Sequence, residues 1–306
     1  MNYLFFSNDA KLGDAVLNTY LVEAIGQNDP NANIDVVTSG PTTAFWCNDP
    51  RVRKTIVLHK AGLYDYIKVA LEYQRVDYLI FFRKPTSERH RLFRLFARAR
   101  NTIVSPLLPD QHAIKRCVIA LEAIFRKSFP DNPHPIIRRR IEFAVAPDLI
   151  GMPFVLLNIF GGDIRRTMSV ERGKDLLSFL EINTASRYIL PAQSFQSNTV
   201  DEIISVVHHK TRFLPFISDG DAGVEEIIFL CKNAQAIVTV DTATTHIASA
   251  FNVPTTVIMF PDDQLIANWA PLSENSFLIR TAQSGDISGF SNDAVLACLQ
   301  RMLSKH

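Results

Sequence analysis

From Val238 to Phe260 the chain reads VTVDTATTHIASAFNVPTTVIMF. An apolar run ends at Asp241, small hydroxyl side chains follow, and a short amphipathic stretch leads to a break at Asn252-Val253-Pro254 and a second apolar run. The pattern predicts strand, polar turn, helix, strand. Both runs are short and apolar throughout, with no alternation, which marks parallel strands covered on both faces. In such sheets unpaired backbone N–H groups and the helix dipole gather where strands end and helices begin. Asp241, Thr242, Ala243, Thr244, Thr245 and His246 occupy that point, so they form the first candidate site.

The same alternation runs through the rest of the sequence. Tyr3–Phe6 reads as a buried first strand, Asn8–Asp14 as the loop after it and Ala15–Ile25 as a helix, with Asp14 at its N-cap. Strand-like runs recur at Ile34–Val37, Thr55–Leu58, Tyr78–Phe82 and Thr102–Val104, with helix-like segments between them. After a boundary around Ala146–Pro153 the alternation restarts with a strand at Phe154–Phe160, and a closing helix falls at Asp293–Leu303. Repeated βα units predict parallel sheets. The expected fold class is therefore α/β, with two Rossmann-like domains over residues 1–148 and 149–306, the last helix packing back on the first.

Composition supports a large core and excludes some partners. The 306 residues are 47% hydrophobic, and 32 basic against 31 acidic side chains leave a net charge of +1. That balance argues against a general nucleic-acid binder, so any basic surface is local. Cys47, Cys117, Cys231 and Cys298 have no metal-binding spacing and read as reduced thiols. No apolar segment approaches the roughly 20 residues that span a bilayer, and the N-terminus lacks the basic start of a signal peptide. The expected location is cytoplasmic, with peripheral contact at the inner face of the cytoplasmic membrane left open.

Basic charge concentrates in two segments. Between Arg83 and Arg100, Arg91, Arg94 and Arg98 fall on one helical stripe, and Leu92, Leu95, Phe96 and Ala99 on another. The second runs from Lys115 to Arg140 and contains Arg116 and Arg138-Arg139-Arg140; Pro130, Pro133 and Pro135 make it read as a loop. Both are ordinary solvated faces or surfaces for an anionic acceptor or membrane. The sequence has no G-x-G-x-x-G after the first strand, no P-loop and no G-x-S-x-G elbow, which disfavours dinucleotide oxidoreductases, P-loop kinases and α/β-hydrolases.

Asp241, Thr242, Ala243, His246, Ala248, Ala250 and Pro254 resemble the D-[ST]-[GA]-x-x-H-x-A-x-A-x-x-x-P signature of glycosyltransferase family 9, the ADP-heptose:lipopolysaccharide heptosyltransferases. Two departures stand out: Ala243 where Gly is commoner, and Pro261 where the family has Gly. Leu12-Gly13-Asp14 resembles the family's L-G-D loop, and Gly161-Gly162 followed by Arg165-Arg166 its basic phosphate loop, with Thr167-Met168 in place of the usual Trp-Pro. Asn268–Leu272 resembles its W-x-P element, with Trp269 either lining a nucleotide pocket or packing.

The resemblance implies a GT-B architecture, two Rossmann-like domains facing across a cleft, and inverting transfer of a sugar without metal or cofactor. It implies Asp14 as the base, Gly13 as the tight-turn residue beside it, and Arg165 or Arg166 on the diphosphate. Asp241 would take the sugar hydroxyls, Thr242–Thr245 the diphosphate, and His246 would orient the loop or reach a phosphate. The implied donor is ADP-heptose. The acceptor is an anionic glycan or glycolipid, such as lipopolysaccharide, served by the N-terminal half, where Arg91, Arg94 and Arg98 are the candidates. A nucleotide-sugar epimerase or hydrolase on the same architecture, and a non-catalytic nucleotide-sugar-binding protein, remain as alternatives.

Overall fold

The computed structural model describes residues 1–7, 9–58, 61–131, 133–139 and 152–304. They form two compact units, Met1–Arg139 and Arg140–His306. The domain boundary expected around Ala146–Pro153, with its division after residue 148, falls almost wholly outside the described residues.

The first unit runs β1 (Asn2–Ser7), α1 (Leu12–Asn28), β2 (Asn33–Thr38), α2 (Thr42–Cys47), β3 (Lys54–Val57), α3 (Leu63–Glu72), β4 (Tyr78–Phe81), α4 (Glu88–Ala97), β5 (Asn101–Val104) and α5 (Lys115–Phe125). Its five strands pair in parallel in the order β3-β2-β1-β4-β5. The order reverses between β1 and β4. Right-handed crossovers therefore put α1 and α2 on one face of the sheet and α3 and α4 on the other. The α3–α4 face is sealed by Leu4, Phe6, Leu79 and Phe81 of the strands against Tyr66, Ala70, Phe93 and Ala97 of the helices.

The second unit runs β6 (Val155–Asn158), α6 (Val170–Asn183), β7 (Tyr188–Ala192), α7 (Ser197–Ile204), β8 (Phe213–Ile217), α8 (Gly220–Asn233), β9 (Ala236–Val240), α9 (Ala243–Ala250), β10 (Thr255–Met259), α10 (Asp263–Trp269), β11 (Ser276–Arg280) and α11 (Asn292–Leu303). Its six parallel strands take the order β11-β10-β9-β6-β7-β8, reversing between β6 and β9. Strands β6, β7, β9 and β10 are buried at every position, as unalternated apolar runs require. Helix α11 buries Val295, Leu299 and Met302 in this unit's core; the spacing i, i+4, i+7 gives it one apolar side, and β10 lies under it. No described helix is long and apolar enough to cross a membrane.

The basic segment read as a loop from Lys115 is a helix, α5, over its first 11 residues. Cys117, Ala120, Leu121 and Ile124 bury at helical spacing, and the three prolines act only downstream. There the chain is strapped over α1: Ile136 N–H donates to Thr19 Oγ1 at 2.9 Å, and Arg139 lies over the Phe45 ring at 4.4 Å. Arg138 Nε and Nη2 each donate to Glu23 at 2.7 Å, and Arg51 Nη1 adds a third bond at 2.8 Å. Arg138 and Arg139 thus serve the fold.

Those bonds, Arg138 first, hold the buried Glu23 carboxyl down from 4.5 to about 2 against the cost of burial. The folded value lies below the unfolded one, so the stabilisation is complete above about pH 4.5 and is lost as pH falls toward 2. Glu23→Gln is expected to lower stability at pH 7 by about 2–3 kcal/mol. Its urea midpoint should also fall less steeply than wild type between pH 5 and 3. Parallel midpoint curves for the two proteins would show that the cluster is not what acid removes.

Candidate functional site

In the second unit the candidate residues meet at the carboxyl ends of β6 and β9, the strands that flank the order reversal. Asn158 ends β6. Its side-chain amide donates to Thr239 Oγ1 at 3.2 Å and to Thr242 and Thr244 Oγ1 at 3.1 Å each. One amide therefore fixes the ends of two strands and the start of α9. Thr242 is the N-cap of that helix, its hydroxyl accepting from the Thr244 N–H at 3.3 Å.

Asp241 stands between strand and cap, buried, with Arg166 Nη1 donating to its Oδ2 at 3.1 Å. Burial pushes the Asp241 carboxyl above the usual carboxylate range, Arg166 opposes the rise, and the nearby Asp163 charge adds to it. Arg166 comes from a 3-10 turn, Ile164–Arg166, that Asp163 caps. The turn folds back tightly: Met168 N–H reaches the Ile159 carbonyl at 3.0 Å, and Gly161 N–H the Thr167 hydroxyl at 3.1 Å. A Cβ on Gly161 would lie 2.4 Å from Arg166 Cβ. Only glycine lets the two stretches approach so closely.

The structure separates the two arginines that the sequence left equivalent. Arg166 joins Asp241 and also lies 3.5 Å from Asp163, whereas among the described residues the Arg165 side chain, 68% exposed, bonds to Asp163 alone. It also revises the roles of the hydroxyl groups. Those of Thr242 and Thr244 are engaged by the cap and Asn158, and Thr245 Oγ1 is sealed from solvent. What this turn presents to a ligand is backbone and the Asp241–Arg166 pair. His246 is buried, its ring centroid 5.9 Å from that of the half-buried Trp269.

In the first unit Asp14 lines a hollow open to solvent. It is the third residue of α1, and Lys11 is the N-cap, so Asp14 is not the capping residue. Helix α1 starts three residues before the expected Ala15, which places Gly13 inside its first turn; the left-handed residue of the β1–α1 loop is Ala10, φ 56°. Gly13 therefore does not make the tight turn. The Asp14 carboxylate accepts from Arg116 Nη2 at 2.7 Å, with both side chains buried (6% and 4% exposed). Arg116 is held in turn by the Ala113 carbonyl at 2.9 Å and lies 5.4 Å from the Phe82 ring centroid.

Sequence reasoning missed four charged groups of this hollow: Asp9, Arg83, Lys84 and Arg116. Asp9 pairs with Arg83 at 3.0 Å, and burial together with the Asp14 charge raises its carboxyl. The signal for Arg116 was present in the apolar spacing of α5; the downstream prolines obscured it. His90, on the first turn of α4, also lines the hollow, and burial holds its imidazole below the ordinary histidine range. The arginines expected to serve an acceptor lie outside it. Arg91 and Arg94 are exposed on α4, and Arg98 has left the helix as its left-handed C-cap, φ 44°. The apolar stripe moves too: Phe93 and Ala97 are buried, while Leu95 points into solvent.

No protein-family model and no curated protein matches the sequence. Its fold has clear counterparts. Two parallel sheets with interleaved helices make it α/β with two Rossmann-like units, and its structural relatives include glycosyltransferases of the GT-B class and, at a TM-score of 0.52, a putative UDP-N-acetylglucosamine 2-epimerase from Listeria monocytogenes. The particular likeness is to family 9. A glycosyl transferase family 9 structure from Veillonella parvula aligns over 100% of this chain and 97% of its own, at 15% identity and a TM-score of 0.79. E. coli ADP-heptose lps heptosyltransferase II covers 100% and 99% at 17% identity and 0.76. E. coli heptosyltransferase WaaC with ADP covers 99% and 100% at 15% identity and 0.71.

The glycine pair gives a direct test of the loop that carries Arg166. A Cβ on Gly162 meets nothing within 4 Å, whereas one on Gly161 collides with backbone. Gly161→Ala is expected to destabilise the protein by about 1–3 kcal/mol, and Gly162→Ala to leave the thermal midpoint near wild type. Equal midpoints for the two variants would mean that the close approach is not needed.

Proposed function

We propose that the protein is an inverting glycosyltransferase that moves a sugar from a nucleoside-diphosphate donor to an anionic glycan or glycolipid acceptor. The observation that carries the reading is the Asp241–Arg166 pair at the carboxyl ends of β6 and β9, beside the N-terminus of α9. A guanidinium matches a phosphate by charge and by paired donors, and helix-start amides favour anions. ADP-heptose is the donor favoured by the likeness to heptosyltransferases, one of them solved with ADP.

In this reading the second unit holds the donor. Arg166 meets the diphosphate and stabilises the charge that develops on it as the glycosidic bond breaks. Asp241 receives sugar hydroxyls. Backbone at Thr242, Ala243, Thr244 and Thr245 lies along the phosphates, and His246 supports the turn from beneath. Arg165 is a weaker participant, because its side chain is exposed and turned to Asp163, two residues away.

The first unit takes the acceptor in the hollow around Asp14. An acceptor hydroxyl gives its proton to the Asp14 carboxylate as its oxygen attacks the anomeric carbon, and the nucleoside diphosphate departs on the opposite side. Arg116 holds Asp14 in one position, and Arg83 and Lys84 supply positive charge for an anionic acceptor. Gly13 supports Asp14 from within the helix. Arg91, Arg94 and Arg98 stand away from the hollow and take no part in the chemistry.

Two measurements test the reading. Asp14→Asn is expected to abolish transfer from ADP-heptose to a lipopolysaccharide-core acceptor while ADP affinity stays within about twofold; transfer within a few-fold of wild type would remove Asp14 as the base. In titration calorimetry with ADP, Arg166→Ala should lose about one to two decades of affinity, the equivalent of a hydrogen bond to a charged group. Arg165→Ala should lose only a few-fold. Equal losses would return the two arginines to equivalence, and no loss in either would move the donor site elsewhere.

A further inference from the structure

Helices α3 and α4 lie side by side on one face of the first sheet, so their outer sides form one continuous surface. Residues i, i+4 and i+7 share a side of a helix. On α3 these are Tyr64, Lys68 and Leu71; on α4, Arg91 and Leu95, with Arg94 alongside and Arg98 at the C-cap. Tyr64 is 76% exposed, Leu71 49% and Leu95 64%. Three large apolar side chains thus stand in water on a surface that also carries a cluster of cations.

The charges on this surface are unequally occupied. The side chains of Arg91, Arg94 and Arg98 have no hydrogen-bond or ion-pair partner among the described residues. The nearby acids are engaged: Asp65 accepts the Gly62 N–H at 2.7 Å, and Glu72 is bridged to Lys54 at 3.8 Å. Glu88 sits in the first turn of α4, where the helix dipole favours it. The three arginines are therefore free for an external anion, while Asp65 and Glu72 are engaged.

We propose that this α3–α4 surface docks the protein on an anionic phospholipid bilayer. Tyr64, Leu71 and Leu95 enter the headgroup boundary, and Arg91, Arg94 and Arg98 meet lipid phosphates. A bilayer fits this surface because exposed apolar side chains stand beside cations, the combination that a headgroup boundary takes up. The chain's net charge of +1 makes a general polyanion binder the weaker alternative. The proposal deepens the reading of a glycolipid acceptor and takes its purpose from that reading. His90 opens α4 and lines the Asp14 hollow, so a helix of 10 residues, about 15 Å long, links the hollow to the docked surface.

The test is co-sedimentation of the full chain with vesicles of phosphatidylcholine alone and of phosphatidylcholine mixed with phosphatidylglycerol. Wild type is expected to sediment with the mixed vesicles at low salt, not with the neutral ones, and to be released by salt. Arg91→Glu with Arg94→Glu should lower the partition coefficient by about tenfold or more. Tyr64→Ser with Leu71→Ser and Leu95→Ser should weaken it by a similar factor; all five positions are exposed, so the fold is spared. Failure of wild type to sediment with anionic vesicles, or binding that either set of substitutions leaves unchanged, overturns the proposal. ADP calorimetry on the same variants reads the second unit separately. Normal ADP binding without sedimentation sinks the docking surface alone, and sedimentation without ADP binding sinks the transferase reading alone.

Discussion

A parallel strand packed between two helical layers has no place for a polar side chain along its length, so polarity collects at its ends. The candidate chemistry follows from it; Asp35, buried within β2, is the exception that Arg53 neutralises by donating to its carboxylate at 3.0 Å. In the second unit Asn158 and Asp241 are the polar residues at the ends of two buried strands, and they meet because β6 and β9 are adjacent. In the first, the chain leaving β1 delivers Asp9 and Asp14 to the hollow beside Phe81 and Phe82, where β4 ends. Each site lies where its sheet reverses order, because only there do consecutive helices diverge and leave backbone uncovered.

Two carboxylate–arginine pairs result, and their exposure gives them different work. Asp14 and Arg116 are sealed together, and removing one partner of such a pair costs about 3–5 kcal/mol because a charge is left buried alone. The pair therefore holds α1 against α5 and keeps the carboxylate in one position. Asp241 is equally buried, but the Arg166 side chain is 35% exposed and keeps donors for an incoming anion. The closed pair suits a fixed base, and the half-open pair suits a ligand that comes and goes.

Much of the fold was legible because period and length carry it. The five described strands of the first unit lie within a residue of the apolar runs, whereas at Phe154–Phe160 the sheet keeps only Val155–Asn158. The βα loop after that strand begins early because Asn158 turns its side chain to the neighbouring strand and cap. Helix α5 was illegible for a local reason: clustered prolines are read over a window, but they act only at their own positions. The glycine in Leu12-Gly13-Asp14 misled in the same way. Glycine permits a turn without requiring one, and Ala10 takes the left-handed conformation instead.

By itself the sequence determined the α/β class, the two parallel sheets and the strand ends at which polar residues gather, because burial on both faces writes itself into every position of a strand. It also supplied the residue types at those ends. Only the tertiary structure decided which of them work together. Arg166 rather than Arg165 reaches Asp241, Arg116 crosses 102 residues to Asp14, and the α4 arginines face outward from the hollow. Partners so far apart in sequence are brought together by strand order, which hydrophobic periodicity does not encode.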